Sequence, residues 1–387
     1  MSSQLFDDAL ARVIADVVAP GAADVDQSGE FPRKQIDALA QAGLLALTVP
    51  TEFGGGGGGL RDAASVVREL GAVCGSTAMI VTMHYAATAA LVAAAAGNAD
   101  GSAGEALAEI AAGQHLSTLA FSETGSRSHF WAPLGTATAA GDGTVRLDAS
   151  KSWVTSAGHA DSYVWSSQPL DAGSGPMTLW LVPAGAAGLT VSGAFDGLGL
   201  RGNASAPMTA DDVRVPEAAM LGPDGGGLDL ALGAVLPVFL IGSAAMSAGL
   251  TRRLAAETAT HLQRTQLRHL GQSLAQQVQP RAQLARLQIE ADRTWALVAE
   301  TLSAVETGRE DAQLLVLEVK AAAAEAAADA ADLALRACGG AAYRKESVVE
   351  RLFRDSRAAR VMAPTTDALY DFIGRALCGL PLLGDVA

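Results

Sequence analysis

The sequence predicts an α+β protein, mostly helical, built from three consecutive parts. Apolar residues recur at helical spacing toward both ends of the chain. A run of short β-prone segments separated by turns fills the middle. Nowhere does strand alternate with helix in the manner of a doubly wound parallel sheet. The expected organisation is an N-terminal helical domain over 1–113, a middle β-barrel-like domain over 114–226 and a C-terminal four-helix-bundle domain over 227–387. A chain of 387 residues exceeds the usual single core, which agrees with several packed parts.

Taken in order, helical spacing marks 6–18, 36–45 and 63–73, and a small-residue run over 76–95 extends the pattern. The glycine run 54–59 follows Val49-Pro50-Thr51-Glu52 and reads as a flexible surface loop. No Gly-Lys-Ser/Thr follows it, so it is not a phosphate-cradling P-loop. At His115 the character changes: 115–123, 135–140, 145–149, 153–155, 162–166, 178–182 and 189–191 read as strands, and the β region closes near Val215-Pro216. Helical spacing returns after Gly227, over 230–260, 273–307, 310–338, 348–361 and 366–376. The Gly339-Gly340 pair suits a helix end that needs positive φ. Pro364 cannot continue a helix, and Thr365 or Thr366 can cap the next one.

Composition excludes several function classes. A net charge of −14 gives no general attraction to nucleic acid or to an anionic membrane surface. The three cysteines show no CxxC spacing and read as thiols of a reducing compartment. Residues 1–17 are acidic and amphipathic, unlike a signal peptide, so a cytoplasmic location is expected. Residues 230–250 carry no charge and are long enough to cross a bilayer. Pro237, the glycines and the lack of aromatic anchors favour a buried bundle helix over a membrane span. Metal-ligand spacings and a nucleophile elbow are both missing.

Several strings then stand out together. Leu119-Ala120-Phe121-Ser122-Glu123-Thr124-Gly125-Ser126 joins a strand to a glycine turn, and Lys151-Ser152-Trp153-Val154-Thr155-Ser156-Ala157 is followed by Ala160-Asp161. Gly199-Leu200-Arg201-Gly202, Asp212-Val213-Arg214-Val215-Pro216, Gly339-Gly340 and Val349-Glu350-Arg351-Leu352-Phe353-Arg354-Asp355 follow in order. This set resembles the acyl-CoA dehydrogenase family. The resemblance implies a flavin-dependent oxidoreductase that binds FAD, with FMN as the alternative, and an acyl-CoA-like substrate. It also implies a homo-oligomer, dimer or tetramer, served by an electron-transfer flavoprotein or a flavin reductase. Carried over by motif, Phe121 and Ser122 would contact the flavin ring, Trp153 would stack nearby and Thr155 would donate toward N5. Gly339, Gly340 and Thr365 would also touch the cofactor, and Ser128 and His129 would face the thioester tail.

The chain departs from that family at positions that carry chemistry. The loop before the last helix usually supplies a glutamate that removes the substrate α-proton, and the residue there is Ala363, followed by Pro364 in place of glycine. Some members carry the base instead on the helix equivalent to 230–250, which here contains no acid; Asp229 lies at its start. Leu267 takes the place of an arginine that meets the FAD pyrophosphate, with Arg268 beside it, and Arg336 replaces a glutamine before the Gly-Gly turn. The remaining candidates for altered catalysis are His84, which interrupts a very apolar segment, and Asp367, which can equally serve the dipole of the last helix. Three functions remain open: an atypical acyl-CoA-dehydrogenase-like enzyme, a monooxygenase using reduced flavin and oxygen, and a non-catalytic flavin- or acyl-binding homologue.

Overall fold

The structure is a computed structural model that describes residues 3–126 and 129–383. Helix α1 (Ser3–Val13) runs through a wider π turn at Ile14–Val18 into α2 (Ala19–Ser28). Gly29 ends α2 at φ 72°, a conformation without side-chain cost only for glycine. Then come α3 (Arg33–Gln41), α4 (Leu60–Gly71), α5 (Gly75–Ala95) and α6 (Ser102–Ala111). α3 and α4 bury one face, through Ile36 and Leu39 and through Val66, Val67 and Leu70. α5 is apolar all round and mostly buried, as such a helix must be in water.

The glycine run is a fixed strap, which corrects the expectation of a flexible loop. Gly56, Gly57 and Gly58 donate backbone hydrogen bonds to the carbonyls of Ala46, Val49 and Leu47. A Cβ at Gly55 would lie 2.2 Å from the Val49 carbonyl oxygen. The glycines are there because the chain packs directly on neighbouring backbone.

The middle region holds β1 (Ser117–Ala120), β2 (Thr136–Ala139), β3 (Thr144–Val154), β4 (Ser162–Ser167), β5 (Thr178–Pro183), β6 (Leu189–Val191) and β7 (Ala206–Pro216). They form two sheets, ordered β1-β4-β5 and β2-β3-β7-β6, with only the β1–β4 pair parallel. Both sheets contribute to one core, Trp165 and Trp180 from the first and Val145, Leu147, Val213 and Val215 from the second. Segments 145–149 and 153–155 belong to the single strand β3. β7 was not anticipated as a full strand: Asp211 and Asp212 break its alternation, and Asp212 stands at φ 53°.

The C-terminal part comprises α7 (Gly227–Leu230), a π turn at Ala231–Val235, α8 (Leu236–Arg264), a short hairpin of β8 (Gln266–Leu267) and β9 (Gln272–Ser273), α9 (Val278–Glu306), α10 (Ala312–Cys338), α11 (Val348–Ser356), α12 (Ala358–Val361) and α13 (Thr366–Leu377). Pro237 follows the π turn inside the continuous helical run Gly227–Arg264, where the wider turn accommodates a residue without an N–H. The helix expected over 230–260 is mostly buried, like α5; among the described residues these two are the helices long and apolar enough to cross a membrane. Leu250, Leu254, Leu287, Leu352 and the alanines of α10 share a second core. Gly339 ends α10 at φ 63°, and Thr365 caps α13 by accepting from the Ala368 N–H, both as the sequence implied. By internal contacts the chain divides into two compact units, 1–66 with 79–197 and 201–239, and 67–78 with 198–200 and 240–387.

His84 is wholly buried in α5. Its Nε2 lies 3.1 Å from the Leu45 carbonyl oxygen, and its Nδ1 lies 3.2 Å from the Ser117 nitrogen. These partners select the neutral ring, with Nε2–H donating and Nδ1 accepting. The proposed catalytic role gains no support here: the ring is a core connector with both nitrogens engaged. Burial pushes its pKa down to about 4, only partly opposed by the backbone hydrogen bonds. The unfolded chain takes up a proton near pH 6.5, so the folded state loses stability as pH falls from 6.5 to 4. We predict a loss of about 3 kcal/mol over that window from this group. His84→Gln should be less stable at pH 7 yet show a flatter dependence in urea denaturation between pH 7 and 4. Parallel curves for the two proteins would refute the assignment.

Candidate active site

The first group of candidate residues lies where the chain leaving β1 runs beside β3. Thr124 N–H donates to the Ser150 carbonyl at 3.0 Å and Ser152 N–H to the Ser122 carbonyl at 2.9 Å. This sets Phe121 and Ser122, both half-buried, next to the Lys151–Val154 stretch. β3 carries a bulge between Lys151 and Val154 against β7. The extra residue lets Lys151 and Val154 both face inward while Trp153 stands 65% exposed. Trp153 meets Phe195 at right angles, 6.5 Å between centroids. Thr155 is buried, with Oγ1 2.9 Å from Ser205 Oγ. His129, exposed, donates from Nδ1 to the Ser126 carbonyl at 2.8 Å and packs against Trp131. Ser128 lies outside the described residues.

Beneath this surface is a buried ion pair. Lys151 Nζ donates to Glu123 Oε1 at 2.6 Å, to the Ser166 carbonyl at 2.7 Å and to Ser166 Oγ at 2.8 Å. The other Glu123 oxygen accepts from the backbone N–H groups of Leu134 and Gly135. Burial draws the Lys151 pKa down to about 8, and Glu123 opposes that shift. The pair ties the turn after β1 to β3, to β4 and to the chain entering β2, so it fixes the backbone that presents Phe121, Ser122 and Trp153.

The second group sits in the C-terminal unit. Ala363, half-buried, lies between α12 and α13, and its peptide bond to Pro364 is cis. Lys320 of α10, wholly buried, donates to the carbonyls of Ala359, Met362 and Pro364 at 2.9, 3.1 and 2.8 Å. Asp367 is exposed in the first turn of α13, the position where an acid favours the helix dipole. Beside Thr365, Thr366 buries an Oγ1 with no protein partner, an open group of the kind a bound molecule can satisfy. Arg268, Arg336, Gly339 and Gly340 are all exposed.

A flavin ring needs an aromatic or apolar wall and hydrogen-bond donors at its edge. The exposed indole of Trp153 and, two residues on, the Thr155 hydroxyl paired with that of Ser205 form a wall and a donor set that fit. Ser205 and Lys320 were not singled out from sequence. The signal for Lys320 was available: a lone lysine set among the alanines and valines of an apolar helix stripe.

Profiles of the acyl-CoA dehydrogenase N-terminal, middle and C-terminal domains match residues 2–113, 118–213 and 225–378. The probable acyl-CoA dehydrogenase YngJ of Bacillus subtilis is 29% identical over 366 residues, covering 93% of each chain. Butyryl-CoA dehydrogenase from Megasphaera elsdenii has the same fold, with TM-score 0.88 at 22% identity over 98% of this chain and 99% of its own. FkbI, for biosynthesis of the methoxymalonyl extender unit of the Fk520 polyketide, superimposes with TM-score 0.83 at 26% identity, over 96% of this chain and 99% of its own. Matching profiles along nearly the whole chain, together with the fold, make this protein a member of the acyl-CoA dehydrogenase family of flavin-dependent oxidoreductases.

Proposed function

We propose that this enzyme oxidises an acyl thioester without a carboxylate base at position 363. The observation that carries the reading is a methyl group at residue 363 together with a flavin-type strand surface around Trp153. A bound flavin supplies a two-electron acceptor. Phe121, Ser122, Trp153 and Thr155 would hold its ring, and Gly339, Gly340 and Thr365 would approach its other parts. Arg268 and Arg336, exposed cations, would meet the pyrophosphate of FAD. Neither Asp367, exposed at a helix start, nor His84, engaged in the core, is arranged as a substitute base. His129 and Ser128 would contact the thioester tail.

We further propose a cytoplasmic homo-oligomer, dimer or tetramer, with an electron-transfer flavoprotein as acceptor and domain limits at 113/114 and 226/227. Free thiols at Cys74, Cys338 and Cys378 are consistent with the reducing compartment. The same missing carboxylate favours a second reading, a monooxygenase supplied with reduced flavin by a reductase. Anaerobic addition of acyl thioesters to purified protein, followed by visible flavin absorbance, separates them. Bleaching supports the first reading, and turnover only with reduced flavin and air supports the second. A protein without affinity for flavin in either redox state refutes both.

Two variants test the residues. Trp153→Ala should weaken flavin binding by about tenfold through lost stacking, roughly 1.4 kcal/mol. Thermal stability should hardly change, because the indole is largely outside the core. Unaltered affinity in a fluorescence titration would remove Trp153 from the site. Wild-type protein should turn over simple saturated acyl-CoAs slowly, since a positioned base is worth about 10²–10⁴ in rate. Ala363→Glu should recover part of that, at least tenfold or so in steady-state dehydrogenation with an artificial acceptor. Fast turnover by the wild type would mean that another residue is the base.

A further inference from the structure

We propose that Lys320 is a positioning residue that sets the backbone on both sides of residue 363. The inference rests on the reading above that residue 363 faces the substrate. The Nζ group has three N–H bonds, and carbonyls of Ala359, Met362 and Pro364 take them at 2.8–3.1 Å. Met362 and Pro364 bracket Ala363, so the peptide entering residue 363 and the one leaving Pro364 are both held from one point. α10 grips the same stretch at two further places. Arg360 Nε donates to Glu325 Oε1 at 3.0 Å, and Arg357 donates to Asp332 at 2.9 Å. Those two pairs are partly exposed and contribute little. Lys320 alone is enclosed, and its removal leaves three carbonyls short of a donor. A neutral side chain of similar length offers at most two N–H bonds. The ammonium therefore dictates the course of the segment in a way no isosteric neutral residue can.

The test places Ala363→Glu in three backgrounds: wild-type Lys320, Lys320→Gln and Lys320→Met. Dehydrogenase kcat and KM are measured with flavin content and Tm, and amide hydrogen exchange is followed over 359–366. We expect the gain from Ala363→Glu to fall by about tenfold or more in kcat in the Lys320→Gln background, with KM and flavin content little changed, since a shift of about 1 Å at a reacting group costs around 10²-fold. Exchange over 359–366 should quicken in Lys320→Gln while α10 and α11 keep their protection. An equal gain in both backgrounds would overturn the proposal. So would unchanged exchange over 359–366, whatever the activity. If Ala363→Glu gives no gain even with Lys320 present, the placement of residue 363 against the substrate is wrong. The exchange data then still decide whether Lys320 governs the segment. Lys320→Gln keeps two donors and serves if Lys320→Met does not fold.

Discussion

A buried ammonium group must give its three N–H bonds to oxygen acceptors, because nothing else repays the loss of water around a compact charge. Lys151 and Lys320 are both wholly enclosed, and each meets that demand with three oxygens drawn from neighbouring elements. Burial lowers both pKa values, to about 8 and about 7, the smaller shift belonging to Lys151, which has a carboxylate partner. The geometry that satisfies each ammonium leaves the attached backbone little freedom. In one unit this backbone is the turn after β1 and the bulged stretch of β3. In the other it is the link between α12 and α13.

This constraint accounts for why residues in two separate strings belong together. Glu123 and Lys151 lie in different motifs, and each motif also carries residues proposed to meet the flavin. Glu123 uses one oxygen for the lysine and the other for the N–H groups of Leu134 and Gly135, so both its oxygens have partners. The bulge in β3 then resolves a conflict that plain alternation would create: Lys151 must stay inside while Trp153, two residues later, must stand outside. Removing either charge would leave its partner buried and alone, which typically costs about 3–5 kcal/mol. The partly exposed pairs on the helices, such as Arg357 with Asp332, carry no comparable penalty.

Much of the fold was legible because its signals are local. Helical spacing marked α8 to α13, Gly339 and Thr365 marked helix ends, and the motif strings marked the family. What was missed depended on contacts far apart in sequence. β7 hid because two adjacent aspartates interrupt its alternation, and only its pairing with β3 reveals a strand. The glycine run suggested flexibility by composition, yet close backbone packing on 46–49 explains it. His84 looked reactive because it was polar among apolar residues; Leu45 and Ser117, which satisfy it, cannot be identified from spacing. Lys320 drew no notice in sequence because its three carbonyl partners belong to a segment 39 to 44 residues away.

The enclosed polar residues differ in kind from the residues at 267, 336 and 363. Glu123, Lys151 and Lys320 are enclosed, and changing any one strands buried polar groups. Ala363 and Leu267 are half-buried and Arg336 is exposed, so a change of side chain there leaves no buried charge without a partner. A carboxylate held ready for proton abstraction is, if anything, a burden on stability, since it must be kept partly dehydrated and without a strong partner. A methyl group at 363 carries no such burden. An intact scaffold therefore says nothing about which reaction the site performs. On the proposed reading, a methyl group at 363 alters the reaction while the buried ammonium behind it holds the course of the segment.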